Sequence, residues 1–334
     1  MMTAFTKNIL AQTKQISLFL FLLIALVIFI LFSSFVGDVK INISHLFPDI
    51  INNYLGNTIL FEYRLPRLLI GACAGAQFAI AGAILQSVTK NQLAAPNIIG
   101  INSGASFFSV LSLLVFSNTS FFILPIAAFL GAIFSSILVY IFAFKNGITP
   151  LRLILSGIGI DAFFQACTTF ILVNNTNEVG SIYMWLSGSL WGKEWNEFYF
   201  LLPCTFIGSF LAIILSQRIN ILTLSDEIII GLGVNINLSR IILLALAIFL
   251  SSSAVCVVGP IGFVGLIIPH IMRKLFDYDY KIIIPFSALG GAFLVIISDT
   301  IGRTIFAPHE VPAGLIATLI GSPYFIYLLL KERY

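Results

Sequence analysis

Arg64, Arg67, Asp161, Asp299 and Arg303 are the residues in this chain best placed to do chemistry. The three arginines sit at the mouths of apolar runs. A guanidinium there is a permanent cation with forked donors, suited to a carboxylate or phosphate partner. The plainer reading is local: Arg64 and Arg67 snorkel or pair with Glu62, and Arg303 pairs with Asp299. Asp299 and Arg303 are four residues apart, so one helix face carries both. Asp161 stands well inside an apolar run with no partner in sequence, where a carboxylate carries a proton or lines a pathway. Arg64, Arg67 and Arg303 are expected to dock an acidic outside partner, and Asp161 is a pathway candidate.

Enzymatic constellations are missing. No G-x-x-x-x-G-K-[ST] is present to cradle a nucleotide phosphate. His309-Glu310 lacks the second histidine of a zinc protease helix. Ser103-Gly104 and Ser187-Gly188 lie outside any G-x-S-G, with no mid-membrane histidine to serve as base. Cys73, Cys167, Cys204 and Cys256 fall in apolar runs without metal-ligand spacing and read as buried small hydrophobes. No catalytic residue, metal site or cofactor is expected in the chain.

These residues are positioned by membrane helices. The 334 residues are 59% hydrophobic and only 9% charged. Apolar runs of about 20 residues recur about ten times, each enough to cross ~30 Å of hydrocarbon. They fall at 16–36, 66–88, 93–116, 121–144, 151–173, 197–216, 240–258, 260–276, 282–301 and 313–330. The expected fold is an all-α integral membrane protein of about ten transmembrane helices, one domain over 1–334. An even number of crossings puts both termini inside. Most Lys and Arg then lie inside, as the positive-inside rule requires. The exceptions are Lys40, Arg64, Arg67, Lys193 and Arg303. A net charge of +3 gives no reason to expect a nucleic-acid partner. The first run is too long for a signal h-region and reads as a retained helix.

Three interruptions carry information. Residues 37–65 lie outside and contain Asp38, Asp49 and Glu62. Residues 174–196, also outside, pass from Asn174, Asn175 and Asn177 to Met184, Trp185, Trp191 and Trp195, which suits a short interfacial helix. Residues 217–239 form the one sizeable inside loop. Ser225 is placed to cap a short helix, with Asp226 and Glu227 in its first turn and Gly231 and Gly233 at its end. Ile228, Ile229, Ile230 and Leu232 make that turn apolar, so it needs a cover. In the second run Gly71, Gly75 and Ala79 repeat every four residues, a small-residue stripe for close helix packing. Pro96, Gly100 and Gly104 predict a bent start to the third, tolerated only where it is buried in protein or faces water.

The ordered motifs resemble the FecCD family of ABC-importer permeases over nearly the whole chain after the first helix. R-L-P-R at Arg64 to Arg67 is similar to the family's outer mouth of the second helix. N-Q-L-A-A-P-N-I-I-G-I-N-S-G-A from Asn91 resembles its N-P-L-A-x-P-x-x-L-G-x-x-x-G-A signature, with Gln92 in place of the usual Pro. G-P-I-G-F-V-G-L-I-I-P-H-I-M-R from Gly259, S-D-T-I-G-R from Ser298, E-V-P-A-G from Glu310 and L-I-G-S-P-Y-F from Leu319 continue the match in order.

The resemblance implies a type II ABC importer permease fold in a bacterial inner membrane. It implies a second permease copy or sibling, two cytoplasmic ATPase subunits that carry the ATP and Mg, and a periplasmic or lipoprotein substrate-binding protein. It implies that Ser225, Asp226, Glu227, Ile228, Gly231, Leu232 and Gly233 belong to the ATPase-coupling loop. Arg64, Arg67 and Arg303 would meet acids of the binding protein, and Thr149, Pro150 and Leu151 would form the inner gate. Asp161 stands where a small or amide residue is expected, which leaves its role open. Trp185 to Leu190 resembles the W-x-x-G-S-L of siderophore-type members, so the expected cargo is a ferric siderophore. Haem or cobalamin is the alternative within the family. An ion-coupled secondary carrier using Asp161, and a membrane enzyme, are the alternatives from other classes.

Overall fold

A computed structural model describes residues 2–37, 58–96, 100–115, 123–144, 149–174, 179–276 and 279–331. Lys40, His45, Asp38, Asp49, Lys145, Asn175, Asn177 and positions 97–99 of the Asn91 motif lie outside the described residues.

The described elements are helical. They are α1 (Met2–Phe35), a π-helical turn (Ile59–Arg64) leading into α2 (Leu65–Val88), α3 (Ile101–Val115), α4 (Ile123–Ala143), α5 (Pro150–Asn174) and α6 (Val179–Leu186). There follow α7 (Trp195–Ile214), α8 (Ser216–Leu222), α9 (Asp226–Gly231), α10 (Ile236–Val258), α11 (Val264–Leu275), α12 (Tyr280–Thr304) and α13 (Ala313–Lys331).

Among the described residues, seven spans are long and apolar enough to cross a membrane: Thr13–Phe35, Ile59–Val88, Ile123–Ala143, Pro150–Asn174, Trp195–Ile214, Ile236–Val258 and Tyr280–Thr304. The other three expected crossings fall on α3, α11 and α13. At 15 and 12 residues, α3 and α11 are short for a bilayer. The expected crossing at 260–276 is helical over a shorter stretch than its apolar run. Gly259 has φ +72°, Phe263 is left-handed at φ 65°, and a helix forms only from Val264. Twelve residues rise about 18 Å.

The organising element is α2. Its side chains are buried over nearly its full length, and α12, α10, α11 and α7 pack around it. The small-residue stripe does what its spacing predicts. A Cβ on Gly75 would stand 2.2 Å from the Gly291 carbonyl oxygen of α12. On the side toward α11, a Cβ on Gly82 would stand 1.8 Å from the Gly265 carbonyl oxygen. Backbones thus touch backbones, and dispersion and close fit hold the helices together where no water is present to be expelled. The buried Gln77 amide in mid-helix is satisfied: it donates to Thr205 Oγ1 at 2.8 Å and accepts from Ser253 Oγ at 3.0 Å.

The outer interruption carries the expected short helix, α6. Beyond it the chain turns at Gly188 (φ +75°) and threads inward. Ser189 N–H donates to the Val258 carbonyl, and Gly188 O accepts from Gly314 N–H. Gly100, at φ +67°, stands immediately before α3, and its carbonyl accepts from Ser135 Oγ at 2.5 Å.

Gly82→Ala should lower stability by about 1–3 kcal/mol, because backbone cannot retreat from the new methyl. Gly159→Ala in α5, where a Cβ meets nothing within 4 Å, should be neutral or slightly stabilising. Thermal unfolding of the two variants in detergent checks the contrast. Equal melting temperatures would mean that α2 and α11 are not in backbone contact.

Candidate functional site

Two polar sites sit at opposite ends of α2. At the Arg67 end, which the charge pattern assigns to the exterior, the π-turn and the first turn of α2 meet the ends of α1 and α12. Arg67 uses all three nitrogens. Nε and Nη2 donate to Asp299 Oδ1 at 3.0 and 2.8 Å, and Nη1 donates to Glu310 Oε1 at 3.1 Å. Arg303 Nε lies 3.1 Å from the other Asp299 oxygen, as an ion pair rather than an aligned hydrogen bond. Arg303 also donates to the carbonyls of Ser33 and Val36, and Arg64 Nη1 donates to the Ser34 carbonyl at 3.0 Å. The arginines fasten the end of α1 to α2 and α12.

Burial here was not legible in the charge pattern. Arg64, Arg67 and Arg303 are only 7%, 9% and 4% exposed. The Asp299–Arg303 pair is present as its spacing predicts. The carboxylate partners of Arg67 are Asp299 and Glu310 rather than Glu62, and those long-range partners left no local signal. A cavity of about 330 Å³ opens beside them, lined by Arg64, Arg67, Lys193, Arg303 and Glu310 among others. Among the described residues, four cationic side chains thus share its wall with one carboxylate, Glu310. Lys193, recessed and 3.8 Å from Glu197, has its ammonium pKa pushed down by burial, which the Glu197 charge partly offsets.

At the other end lies the expected coupling loop, built as α8 and α9. Ser225 occupies the N-cap position in extended conformation, but its side chain makes no capping bond, so that expectation is corrected. Asp226 holds the turn instead. Its carboxylate takes Lys90 Nζ at 2.7 Å and Arg240 Nη2 at 3.2 Å, tying α9 to the end of α2 and to α10. The Lys90 hydrogen bond is the main reason its pKa lies below the usual carboxylate range. α9 ends as predicted, with Gly233 at φ +72° donating to the Ile230 carbonyl and Val234 N–H to the Ile229 carbonyl. Ile229 is buried, whereas Ile228, Ile230 and Leu232 are exposed. A Cβ on Gly231 meets nothing within 4 Å. Thr149 and Pro150 begin α5, the Thr149 carbonyl accepts from Leu153 N–H, and Leu151 is exposed.

Asp161 is not alone. Gln165, one turn on, donates to its Oδ2 at 2.7 Å, a partner at an i,i+4 spacing readable in the sequence. Both line a cavity of about 370 Å³ with Ser103, Ser106 and Thr168. The structure brings Arg64, Arg67 and Arg303 together, and separately gathers Asp226 to Gly233. It leaves Asp161 in a third place between helices α3, α5 and α6.

The model of the FecCD transport family matches residues 24–331. The chain is 43% identical over 283 residues to the iron(3+)-hydroxamate import system permease protein FhuG of Bacillus subtilis, covering 82% of this chain and 84% of that one. It is 40% identical over 325 residues to the Fe(3+)-citrate import system permease protein YfmE of the same organism, covering 96% and 97%. A solved structure described as an inward-facing conformation of a metal-chelate type ABC transporter superposes with TM-score 0.85 at 30% identity, covering 94% of this chain and 99% of that chain.

Removing the carboxylate that two arginines share leaves both cations buried without it. Asp299→Asn should therefore cost roughly 3–5 kcal/mol. Glu310→Gln, at a side chain 19% exposed and holding Arg67 alone, should cost less. Melting temperatures of the two variants in detergent give the order, and a Glu310 variant less stable than the Asp299 variant would contradict it.

Proposed function

The chain belongs to the FecCD transport family, and from that premise we propose that it is the membrane-spanning permease subunit of an ABC importer for a ferric siderophore. It is a multi-pass membrane protein and a transporter subunit. Both termini are cytoplasmic in this reading, and residues 1–334 act as one permease domain. The observation that carries the reading is the α9 turn. Ile228, Ile230 and Leu232 stand exposed on a short helix that ion pairs fix to the central helix, in a chain without a phosphate-binding loop. An apolar knob of that kind needs a partner to cover it, and an ATPase is the partner that supplies both cover and energy. ATP and Mg are held there. A second permease copy or sibling completes the pathway, with Thr149, Pro150 and Leu151 as its inner gate. The iron cargo is inferred from relatives named for ferric hydroxamate and ferric citrate import.

The decisive assay is iron-chelate uptake into vesicles carrying the full complex, with ATP fixed inside. Uptake should require the ATPase and ignore an uncoupler. Gly231→Lys adds bulk and charge where the chain itself has open space, so insertion should be normal while uptake and ATPase co-purification are lost. Asp161 lines the polar cavity and is read as a pathway residue, so Asp161→Asn should keep most uptake. Uptake that survives loss of the ATPase but not an uncoupler or Asp161→Asn would establish the secondary-carrier reading instead.

A binding protein is proposed to bring acidic side chains to the cavity at Arg64, Arg67 and Arg303. Because Asp299 and Glu310 already neutralise part of that charge, single Arg→Ala changes should weaken docking only modestly. The triple change should weaken it far more. Docking should also fall between 0.1 M and 1 M salt, as the Debye length shrinks from ~10 to ~3 Å. Affinity of the binding protein that ignores both salt and the triple change would remove these arginines from the interface.

A further inference from the structure

Behind the Asp226 anchor lies a separate cavity of about 270 Å³, lined by Gln86, Ser87, Lys90, Thr223, Arg273 and Tyr280 among others. Its deepest charge is Arg273, in the last turn of α11 and 8% exposed. Gln86 fixes the guanidinium. The Gln86 amide nitrogen donates to the carbonyls of Gly265 and Leu266, which leaves its oxygen to accept from Arg273 Nη2. Arg273 Nη1 reaches the Tyr280 hydroxyl at 3.5 Å. Arg273 Nε is buried without a hydrogen-bond partner. Among the described residues no carboxylate forms an ion pair with Arg273. A buried cation with a free donor and no counter-charge is unfavourable unless an anion takes its place beside it.

The rest of the wall suits such an anion. Lys90 brings a second positive charge at the lip. It stands in the left-handed region at φ 48°, where glycine is the usual occupant, so the chain bears backbone strain to keep an ammonium there. Thr223 and Tyr280 add hydroxyls. Donors therefore converge from the end of α2, α11 and α12, while the Thr223 hydroxyl is already given to the Asn220 carbonyl. A planar carboxylate has two oxygens to offer them, whereas a tetrahedral oxyanion has more and reaches several directions at once.

We propose that this cavity is a binding site for a phosphate group, taken either as the free ion or as the headgroup of an anionic lipid. Arg273 and Lys90 supply the charge, and the Tyr280 hydroxyl supplies a further donor. The site is independent of cargo and of transport direction. Two groups already hold the Lys90 ammonium, the Leu224 carbonyl at 2.5 Å and the charged competitor Asp226 at 2.7 Å. An anion in the cavity and the Asp226 anchor of α9 draw on the same ammonium, so phosphate binding and the hold on α9 are linked, each weakening the other.

The test uses the purified full chain in neutral detergent, titrated with inorganic phosphate by calorimetry at constant ionic strength, with chloride as control. A second arm compares nanodiscs of phosphatidylglycerol with nanodiscs of phosphatidylcholine and measures retained lipid by native mass spectrometry. Saturable phosphate binding assigns the free ion. Preferential retention of phosphatidylglycerol assigns the headgroup. In whichever arm binds, Arg273→Gln and Lys90→Gln should each weaken binding about tenfold or more, as loss of a charge-assisted hydrogen bond implies. Asp226→Asn should strengthen it by up to about fivefold, by releasing Lys90 from an exposed pair. Lys90→Gln lies at the lip and leaves the Gln86–Arg273 contact intact, so it stays informative if the Arg273 variant does not fold. The proposal is overturned if neither arm shows binding, if binding ignores Lys90→Gln, or if acetate titrates as tightly as phosphate. The acetate result would assign the cavity to a partner's acidic side chain. None of these outcomes depends on iron uptake, so the site and the transporter reading stand or fall separately.

Discussion

The contact between the backbones of α2, α11 and α12 is the constraint on which the rest depends. At Gly75 and Gly82 no side chain separates the helices, and carbonyl oxygens of Gly291 and Gly265 occupy the space a Cβ would take. In a bilayer no expelled water drives helices together, so approach distance decides how much dispersion is gained. Glycine at those positions turns α2 into a core strut. Because α2 is enclosed, polar groups on it have no lipid or water to turn to, and each must find a partner within the bundle. Gln77 does so with Thr205 and Ser253, and Gln86 with the α11 carbonyls and Arg273.

The same enclosure explains the charges at the strut's two ends. An arginine entering a helix mouth beside other helices is desolvated, and a single carboxylate at distance would not compensate it. Arg67 is therefore met by two, and Asp299 is shared with Arg303. At the opposite end Lys90 and Arg240 converge on one Asp226 whose side chain is half exposed. The first arrangement is buried and structural as well as cationic on its cavity side. In the second the carboxylate is half exposed although Arg240 is buried, so the Lys90–Asp226 pair is the weaker tie. The end of α2 at Arg67 is fixed, whereas the end at Lys90 is held to α9 by contacts that competition can loosen.

Much of what was local was legible. The Gly71–Gly75–Ala79 stripe, the Asp299–Arg303 pair, the glycine end of α9 and the short helix after Asn174 all follow from spacings of a few residues. Two local features were not: Gln165 as the partner of Asp161 was passed over, although a four-residue interval discloses it, and the expected Ser225 capping bond does not form. The ties that define the sites are not local. Arg67 reaches Asp299 and Glu310, and Lys90 reaches Asp226, across loops whose closure leaves no mark in composition. Burial of the arginines followed from those ties, so exposure was misjudged where the partners were invisible. The segment at 260–276 was legible in its apolarity but not in its bounds: the left-handed residue Phe263 delays the helix to Val264.

A strut fixed by backbone contact also limits which parts of the bundle are free. Sliding α2 against α11 or α12 by even a fraction of a turn would drive carbonyl oxygens into neighbouring Cβ or Cα atoms, and packed interfaces of this kind pass between discrete arrangements rather than deform smoothly. The helices α5 and α7 are in the opposite situation. Most of their side chains point away from the bundle, with Phe170, Phe206 and Phe210 among the exposed. Those faces require lipid or another subunit to cover them, and no glycine contact locks their long axes to α2 across most of their length. The cavity at Asp161 lies against α5, on the unlocked side, while the cationic cavities at both ends touch α2. Two mechanical roles follow from this: the enclosed helix holds both ends in register, and α5, lightly buried, carries the polar cavity at Asp161.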